Sequence, residues 1–210
     1  EKGAEVTLFI TTGFEDLLLI GDQKRPDLFA LNVQKPAPLT ANVIGVDERL
    51  DALGQALQPL SLPTVAPPSC HNQSAAIVCL HSHRNPEHEQ RLTTHLRESG
   101  WQHVSVSSDL APVIKILPRA ETTVVDAYLS PIMSRYLDGV ERELPNGKLR
   151  VMTSAGGLVP HADYRAKDSL LSGPAGGVVG AAMAGRQAGF DCIIGFDMGG
   201  TSTDVCRFDG

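Results

Sequence analysis

Residues Gly195–Asp209, GFDMGGTSTDVCRFD, admit few folds. An apolar run, Cys192–Phe196, delivers Asp197. A turn of small and hydroxylated residues follows, Gly199-Gly200-Thr201-Ser202-Thr203. Asp204 then opens a second strand-like run, Val205–Phe208. The order is strand, tight turn, strand. Glycines let a backbone approach a ligand closely and take angles that side chains forbid. The turn's N–H groups and three hydroxyls can then point at phosphate oxygens. An aspartate at each end can hold Mg²⁺, usually through water, so that nucleotide phosphates approach two carboxylates without net repulsion. The competing reading is an ordinary β-hairpin, because Gly-Gly between alternating runs is a hairpin signal by itself.

The chain has 210 residues, enough for one large or two small domains. Its apolar content of 42% supports a real core, and its charge of −6 comes without any basic run. That pattern argues against nucleic acid and against anionic membrane surfaces. No apolar run approaches the roughly 20 residues of a membrane span. The sequence opens Glu1-Lys2-Gly3, without an initiator Met or a visible signal peptide, and stops just past the hairpin. It therefore reads as a piece of something longer. Cys70, Cys79, Cys192 and Cys206 form no CxxC pair, which points to reduced thiols and a cytoplasmic setting. Cys70-His71 lacks a second pair at ligand spacing, so a structural metal there is not expected.

Taken in order, Val6–Ile10 is a strand. Phe14–Ile20 suggests a short helix with Thr12 as N-cap. Lys24 and Arg25 lie in a polar loop, either simply solvated or folded over an anion. Asn42–Asp51 alternates as a half-buried strand, and Leu57–Leu62 is a proline-marked edge partner for it. AAIVCLH, Ala75–His81, is the continuous run of a strand buried on both faces. Asn85-Pro86 starts a helix reaching Ser99, with Glu87 and Glu89 in its first turn, where the dipole favours negative charge. His103–Ser107 completes a β-α-β unit of a parallel sheet. His81 and His83 alternate onto one strand face, with His88 nearby. Three imidazoles could bind a transition metal, but unliganded histidines are the default at a polar strand end.

From Pro118 to Leu144 apolar residues recur at helical steps, and Pro131 should kink or break that helix. Asn146-Gly147 turns the chain into a strand, Lys148–Thr153, followed by Gly156-Gly157. Glycines at a strand's carboxyl end stand where open α/β sheets bind ligands, although a plain turn reads the same way. Ser172-Gly173-Pro174-Ala175-Gly176-Gly177 opens a helix of small residues to about Gln187, with Ser172 as cap. A glycine-rich helix N-terminus is a ready anion site, and close packing of Gly180, Ala181, Ala182 and Ala184 is the structural alternative. Neither G-x-x-x-x-G-K-[ST] nor a Rossmann G-x-G-x-x-G after a strand occurs.

LLSGPAGGVVGA (Leu170–Ala181) followed by IGFDMGGTSTDV (Ile194–Val205) closely resembles the hydantoinase A/5-oxoprolinase family. TTGFEDLLLIGDQKRPDLFAL (Thr11–Leu31), HSHRNPEHE (His81–Glu89) and LPRAETTVVDAYLSP (Leu117–Pro131) match its pattern as well, and the last of these is most like the 5-oxoprolinase branch. The resemblance implies an α/β fold with mixed sheets and flanking helices, part of an actin/sugar-kinase-like ATPase. Residues 1–118 would be the C-terminal part of the family's N-terminal domain, and residues 119–210 the start of its ATPase domain. It implies ATP-driven cleavage of a cyclic amide, opening 5-oxo-L-proline to L-glutamate with ADP and phosphate formed. Gly199, Gly200, Thr201, Ser202 and Thr203 would contact nucleotide phosphates. Asp197 and Asp204 would serve Mg²⁺ or orient a nucleophile. Ser172, Gly173, Gly176 and Gly177 would form an adjacent loop.

The partners implied are the cyclic amide (5-oxo-L-proline or hydantoin), the rest of the polypeptide or a hydantoinase B-type subunit, and a possible second copy in a homo-oligomer. The family's earlier Asp-x-Gly-Gly-Thr hairpin is absent here. Ala155 stands where the family often has Asp, and Cys206 where Ser is common. The 210 residues alone are therefore expected to fold at least partly and not to turn over. The hairpin alone admits three readings: lactam hydrolase or its hydantoinase and acetone-carboxylase relatives, sugar-kinase-like phosphotransferase, and Hsp70-type ATP-gated module.

Overall fold

The computed structural model describes residues 2–22, 29, 31–33, 35–144 and 147–209. The loop carrying Lys24 and Arg25, and Asn146, lie outside the described residues. The chain forms two compact units, Glu1–Met133 and Ser134–Gly210.

In the first unit, β1 (Glu5–Thr11) is the apolar run expected near the start of the chain. It leads to a single helical turn, α1 (Leu17–Ile20). Thr12 does not cap that turn: its hydroxyl donates to Asp47 Oδ1 at 2.8 Å, and Asp16 occupies the cap position without a side-chain bond. β2 (Thr40–Val46) pairs parallel to β1. A small antiparallel hairpin follows, β3 (Arg49–Leu50) with β4 (Ala56–Gln58). β5 (Gln73–Val78) pairs parallel to the other side of β1, and β6 (His103–Val106) parallel to β5. The main sheet therefore runs β2-β1-β5-β6, all parallel, and the antiparallel strands sit in separate two-stranded sheets.

Between β5 and β6 lies α2 (Glu87–Glu98), where Asn85 Oδ1 accepts the Glu87 N–H at 3.0 Å and Gly100 ends the turn at φ 95°. After β6 come the short α3 (Ser107–Leu110) and the long α4 (Ile116–Arg142). Each strand of the sheet's centre feeds both faces. Phe9 and Ile77 pack with Leu92, Leu96 and Trp101 on the α2 side. Val6, Leu8, Ile10, Ala76 and Val78 pack with Ala120, Val124 and Ala127 of α4 on the other. This is why β1 and β5 read as continuous apolar runs rather than alternating ones. α4 runs unbroken through Pro131. The lost N–H and ring clash cost about 3 kcal/mol in a helix interior, and burial of Ala127 and Leu137 on either side offsets that cost.

In the second unit, β7 (Arg150–Met152) and β8 (Leu158–Pro160) form an antiparallel hairpin. Two 3-10 turns, His161–Asp163 and Ala166–Ser169, lead into α5 (Ser172–Gln187), which Gly189 terminates at φ 82°. β9 (Cys192–Met198) and β10 (Thr203–Asp209) then pair antiparallel, as the alternation on either side of the glycines requires. Among the described residues, β9 and β10 pair only with each other.

Candidate functional site

The β9–β10 register places Asp197 directly opposite Asp204, Gly195 opposite Cys206 and Ile193 opposite Phe208. With a side-chain period of two, these six residues share one face of the hairpin. α5 covers that face. A Cβ on Gly195 would stand 3.0 Å from Ala181 Cβ and 2.5 Å from Cys206 Sγ. A Cβ on Gly185 would be 2.4 Å from Ile193 Cγ2. These two glycines serve packing. The Arg186 guanidinium lies 5.1 Å from the centre of the Phe208 ring. Nearer the turn the helix leaves room, and a Cβ on Gly177 would sit 4.0 Å from Asp197 Oδ2. The space so formed is a cavity of about 350 Å³, lined by Pro174, Gly177 and Ala181 of α5 and by Gly195, Asp197, Asp204 and Cys206 of the hairpin. That volume lies at the low end of ordinary small-molecule sites.

The turn itself, Gly199–Ser202, stands beyond this cavity and is exposed. Gly199 N–H closes it onto Ser202 O at 2.9 Å. Gly200, Thr201 and Ser202 are exposed, and their N–H and hydroxyl groups are the donors this turn carries. Neither Gly199 nor Gly200 has positive φ, so the expectation of glycine-only angles there is corrected. What glycine supplies is open space, since a Cβ on Gly200 would meet nothing within 4 Å. Thr203 is the first residue of β10, paired with Met198, rather than part of the turn.

The second glycine-rich stretch also changes in detail. Ser172 is the first residue of α5, not its cap, and its hydroxyl donates to Ser169 O at 3.1 Å. Gly176 and Gly177 lie within the helix rather than in a loop. Pro174 has no N–H, and Ala175 N–H already bonds Leu171 O. The anion-facing end thus narrows to Ser172 and Gly173, and Gly173 has nothing within 4 Å of a would-be Cβ.

The third stretch proves to be a plain turn. Gly156 N–H bonds Thr153 O at 2.9 Å, and Gly157 N–H reaches Thr153 Oγ1 at 3.3 Å. Gly156 takes φ 80°, which closes the β7–β8 hairpin. Nearby, Ser154 Oγ donates to Asp168 O and accepts the Leu171 N–H, which fixes the approach to α5.

Like charges directly opposite on adjacent strands destabilise a sheet. Asp197 and Asp204 are such a pair, and among the described residues neither is matched by a cationic side chain. A cation between them removes the repulsion. Among the described residues no cluster of three or more His, Cys, Asp or Glu could hold a metal, and the donors at this site are the two carboxylates. That donor set fits Mg²⁺, which keeps several waters and binds through one or two carboxylates plus substrate phosphates.

His81 and His83 do not share a strand face. β5 ends at Val78, and His81 lies in the following turn with φ 61°, not on a strand face. His88 is buried in α2, with Nδ1 2.7 Å from Glu48 Oε2. Thr11 Oγ1 donates to the other oxygen of Glu48. Glu89 lies in the first turn of α2, as expected, and is fully buried there. It accepts the Cys79 N–H at 2.8 Å, the Ser107 hydroxyl at 2.6 Å and the Ser108 N–H at 2.9 Å, with Arg119 Nη1 3.8 Å away. Arg119, also fully buried, reaches Cys79 O and the hydroxyls of Ser82 and Ser107. Sequence reasoning missed this network. The only trace was an arginine inside an apolar helical face.

Two family models match the chain: hydantoinase/oxoprolinase over residues 119–210, and hydantoinase/oxoprolinase N-terminal region over residues 1–100. 5-Oxoprolinase 1 of Arabidopsis thaliana is 40% identical over the whole chain, which covers 19% of that protein. The structure of an ATP-dependent caprolactamase from Pseudomonas jessenii is 28% identical, with a TM-score of 0.78 over 98% of this chain and 32% of that one. A nucleotide-free acetone carboxylase structure is 26% identical, with a TM-score of 0.75 over 99% of this chain and 32% of that one. The chain spans about a fifth of the length of the curated 5-oxoprolinases it matches. The α/β architecture that the resemblance implied is the one shared with these neighbours, an actin-like ATPase type. The chain belongs to the hydantoinase/oxoprolinase family.

Proposed function

We propose that this chain works within an ATP-dependent cyclic-amide hydrolase that opens 5-oxo-L-proline to L-glutamate, with ADP and phosphate formed. The supporting observation is the 40% identity to a 5-oxoprolinase across all 210 residues, including the Asp197–Asp204 hairpin. An unstrained lactam carbonyl is a poor electrophile. Phosphorylating its oxygen turns that oxygen into a leaving group before water attacks, and the protein's share is positioning and charge stabilisation.

In this reading Gly200, Thr201 and Ser202 donate to the nucleotide phosphates from the exposed turn, with Gly199 and Thr203 setting its ends. Ser172 and Gly173 offer N–H groups at the positive end of α5. Gly177 leaves the cavity open beside Asp197, and Gly176 faces Met152 of β7. Asp197 and Asp204 hold Mg²⁺, which when bound neutralises charge on the transferring phosphoryl group. Residues 1–118 would belong to the family's N-terminal domain and 119–210 to the start of its ATPase domain. Further subunits of hydantoinase B type, or a second copy, are the partners this reading allows.

A second reading within the family, a hydantoinase or an acetone carboxylase subunit, is favoured by the acetone carboxylase likeness. Following ADP formation by the full-length protein with 5-oxo-L-proline, hydantoin and acetone separates them. Turnover with 5-oxo-L-proline alone supports the first reading. Turnover with hydantoin or acetone keeps the family and changes the substrate.

A further inference from the structure

The turn after β5 contains a conformation that local sequence does not favour. His81 has φ 61°, and no other non-glycine residue among those described has positive φ. A Cβ in the left-handed region is strained, and glycine or asparagine fits there more easily. The turn is held in place from several sides. Arg119 Nη2 donates to Cys79 O at 3.0 Å, and Arg119 Nη1 to Ser82 Oγ. Arg84 N–H bonds His81 O at 2.9 Å, and Asn85 Nδ2 donates to Gly54 O at 3.0 Å. Backbone strain that is over-determined by its surroundings is a mark of functional sites.

This turn stands at the carboxyl ends of β1 and β5. The chain visits β2 on one side of β1 and later β5 on the other, so the gap between β1 and β5 is the sheet's switch point. Open α/β sheets bind ligands outside the carboxyl ends at such points. The His81 and His83 rings lie 6.0 Å apart, both half-buried, close enough to touch one small molecule. His83 Nδ1 is buried without a hydrogen-bond partner. Burial, then the charges of Arg119, Arg84 and His81, hold the His83 imidazole below its ordinary range, so it stays neutral at neutral pH. Among the described residues no cluster with metal-binding composition includes these rings. A neutral imidazole offers one N–H donor and one acceptor nitrogen, and no charge. That chemistry matches an amide's carbonyl and N–H rather than a phosphate.

We propose that the His81–His83 turn recognises the amide group of the cyclic substrate, one ring donating to the carbonyl oxygen and the other accepting from the ring N–H. This assignment rests on the lactam reading above.

The test uses the full-length protein with His81→Gly and His83→Leu, and measures three things: thermal midpoint, ATP affinity, and KM for 5-oxo-L-proline. Glycine accepts φ 61° without strain, so His81→Gly should unfold at or above the wild-type temperature. KM for the lactam should rise at least tenfold in each variant, with ATP affinity within twofold of wild type. Unchanged KM in both variants, or a His81→Gly protein that unfolds well below wild type, overturns the assignment and leaves the lactam reading standing. A wild-type protein that forms no ADP in response to 5-oxo-L-proline overturns the lactam reading, and this assignment with it.

Discussion

Asp197 and Asp204 face each other across the β9–β10 hairpin, on the side that α5 covers. Two aspartates in that register are a burden to an empty sheet and an asset to a cation. Replacing one of them should therefore separate stability from function. Asp204→Asn is expected to stabilise the Mg²⁺-free protein by about 0.2–1 kcal/mol, the usual scale of a directly opposed pair. The same variant should lose the stabilisation that Mg²⁺ with ATP gives the wild type. Urea unfolding with and without both ligands checks the two halves together.

The glycines of the second unit divide into two groups. Gly195→Ala drives a methyl to 2.5 Å from Cys206 Sγ, and Gly185→Ala drives one to 2.4 Å from Ile193. Each should destabilise by about 1–3 kcal/mol, as overpacking does. Gly173→Ala and Gly200→Ala meet open space and should leave stability within about 0.5 kcal/mol, as ordinary surface substitutions do. A fall in ATP affinity in that second group reports ligand contact without a folding defect.

Glu89 is the anchor of the first unit's polar network. Glu89→Gln keeps the shape but leaves Arg119 without its carboxylate in a fully buried site. Breaking a buried pair from one side costs about 3–5 kcal/mol. Chemical denaturation should show a loss on that scale, whereas the solvent-exposed neighbour Glu87→Gln should change little.

The His83 imidazole binds its proton less readily in the folded chain than in the unfolded one. As pH falls below the ordinary histidine value of about 6.5, the unfolded state takes up the proton first and stability declines. Above that value the group contributes no pH dependence. His83→Leu should flatten this part of the stability–pH curve between pH 7 and 5.

Thiol chemistry distinguishes the cysteines. Burial, with Glu89 and Glu48 nearby, raises the Cys79 thiol well above its usual range. Cys70 and Cys192 are exposed. A disulfide reagent at pH 8 should modify Cys70 and Cys192 promptly and Cys79 only on unfolding, as mass spectrometry of the labelled peptides would show.

Much of this architecture was legible where the signal is local. AAIVCLH, the Asn85-Pro86 start and Gly100 give a β-α-β unit because run length, cap and terminator all lie within a few residues of one another. The β9–β10 hairpin follows from alternation around two glycines, and its register sets the aspartate pair. The rest depends on partners far apart in sequence. His88 meets Glu48 across 40 residues. Glu89 is buried by Ser107, Ser108 and Arg119, none of which a helix-dipole argument considers. Gly176 and Gly177 read as a loop because glycine usually ends helices, yet both lie inside α5, where Gly176 faces Met152 of β7 and Gly177 faces Asp197. The φ of His81 follows from tertiary clamps, not from any preference of histidine.

ATP affinity with Mg²⁺ tests the hairpin's phosphate role most directly. It should be measured by titration calorimetry on the full-length protein, comparing wild type with Asp197→Asn and Thr201→Ala. Affinity should fall at least tenfold in each variant while the thermal midpoint stays within a few degrees of wild type. Unchanged affinity in both variants would make Gly195–Asp209 an ordinary hairpin, and the phosphoryl-transfer mechanism built on it would fall.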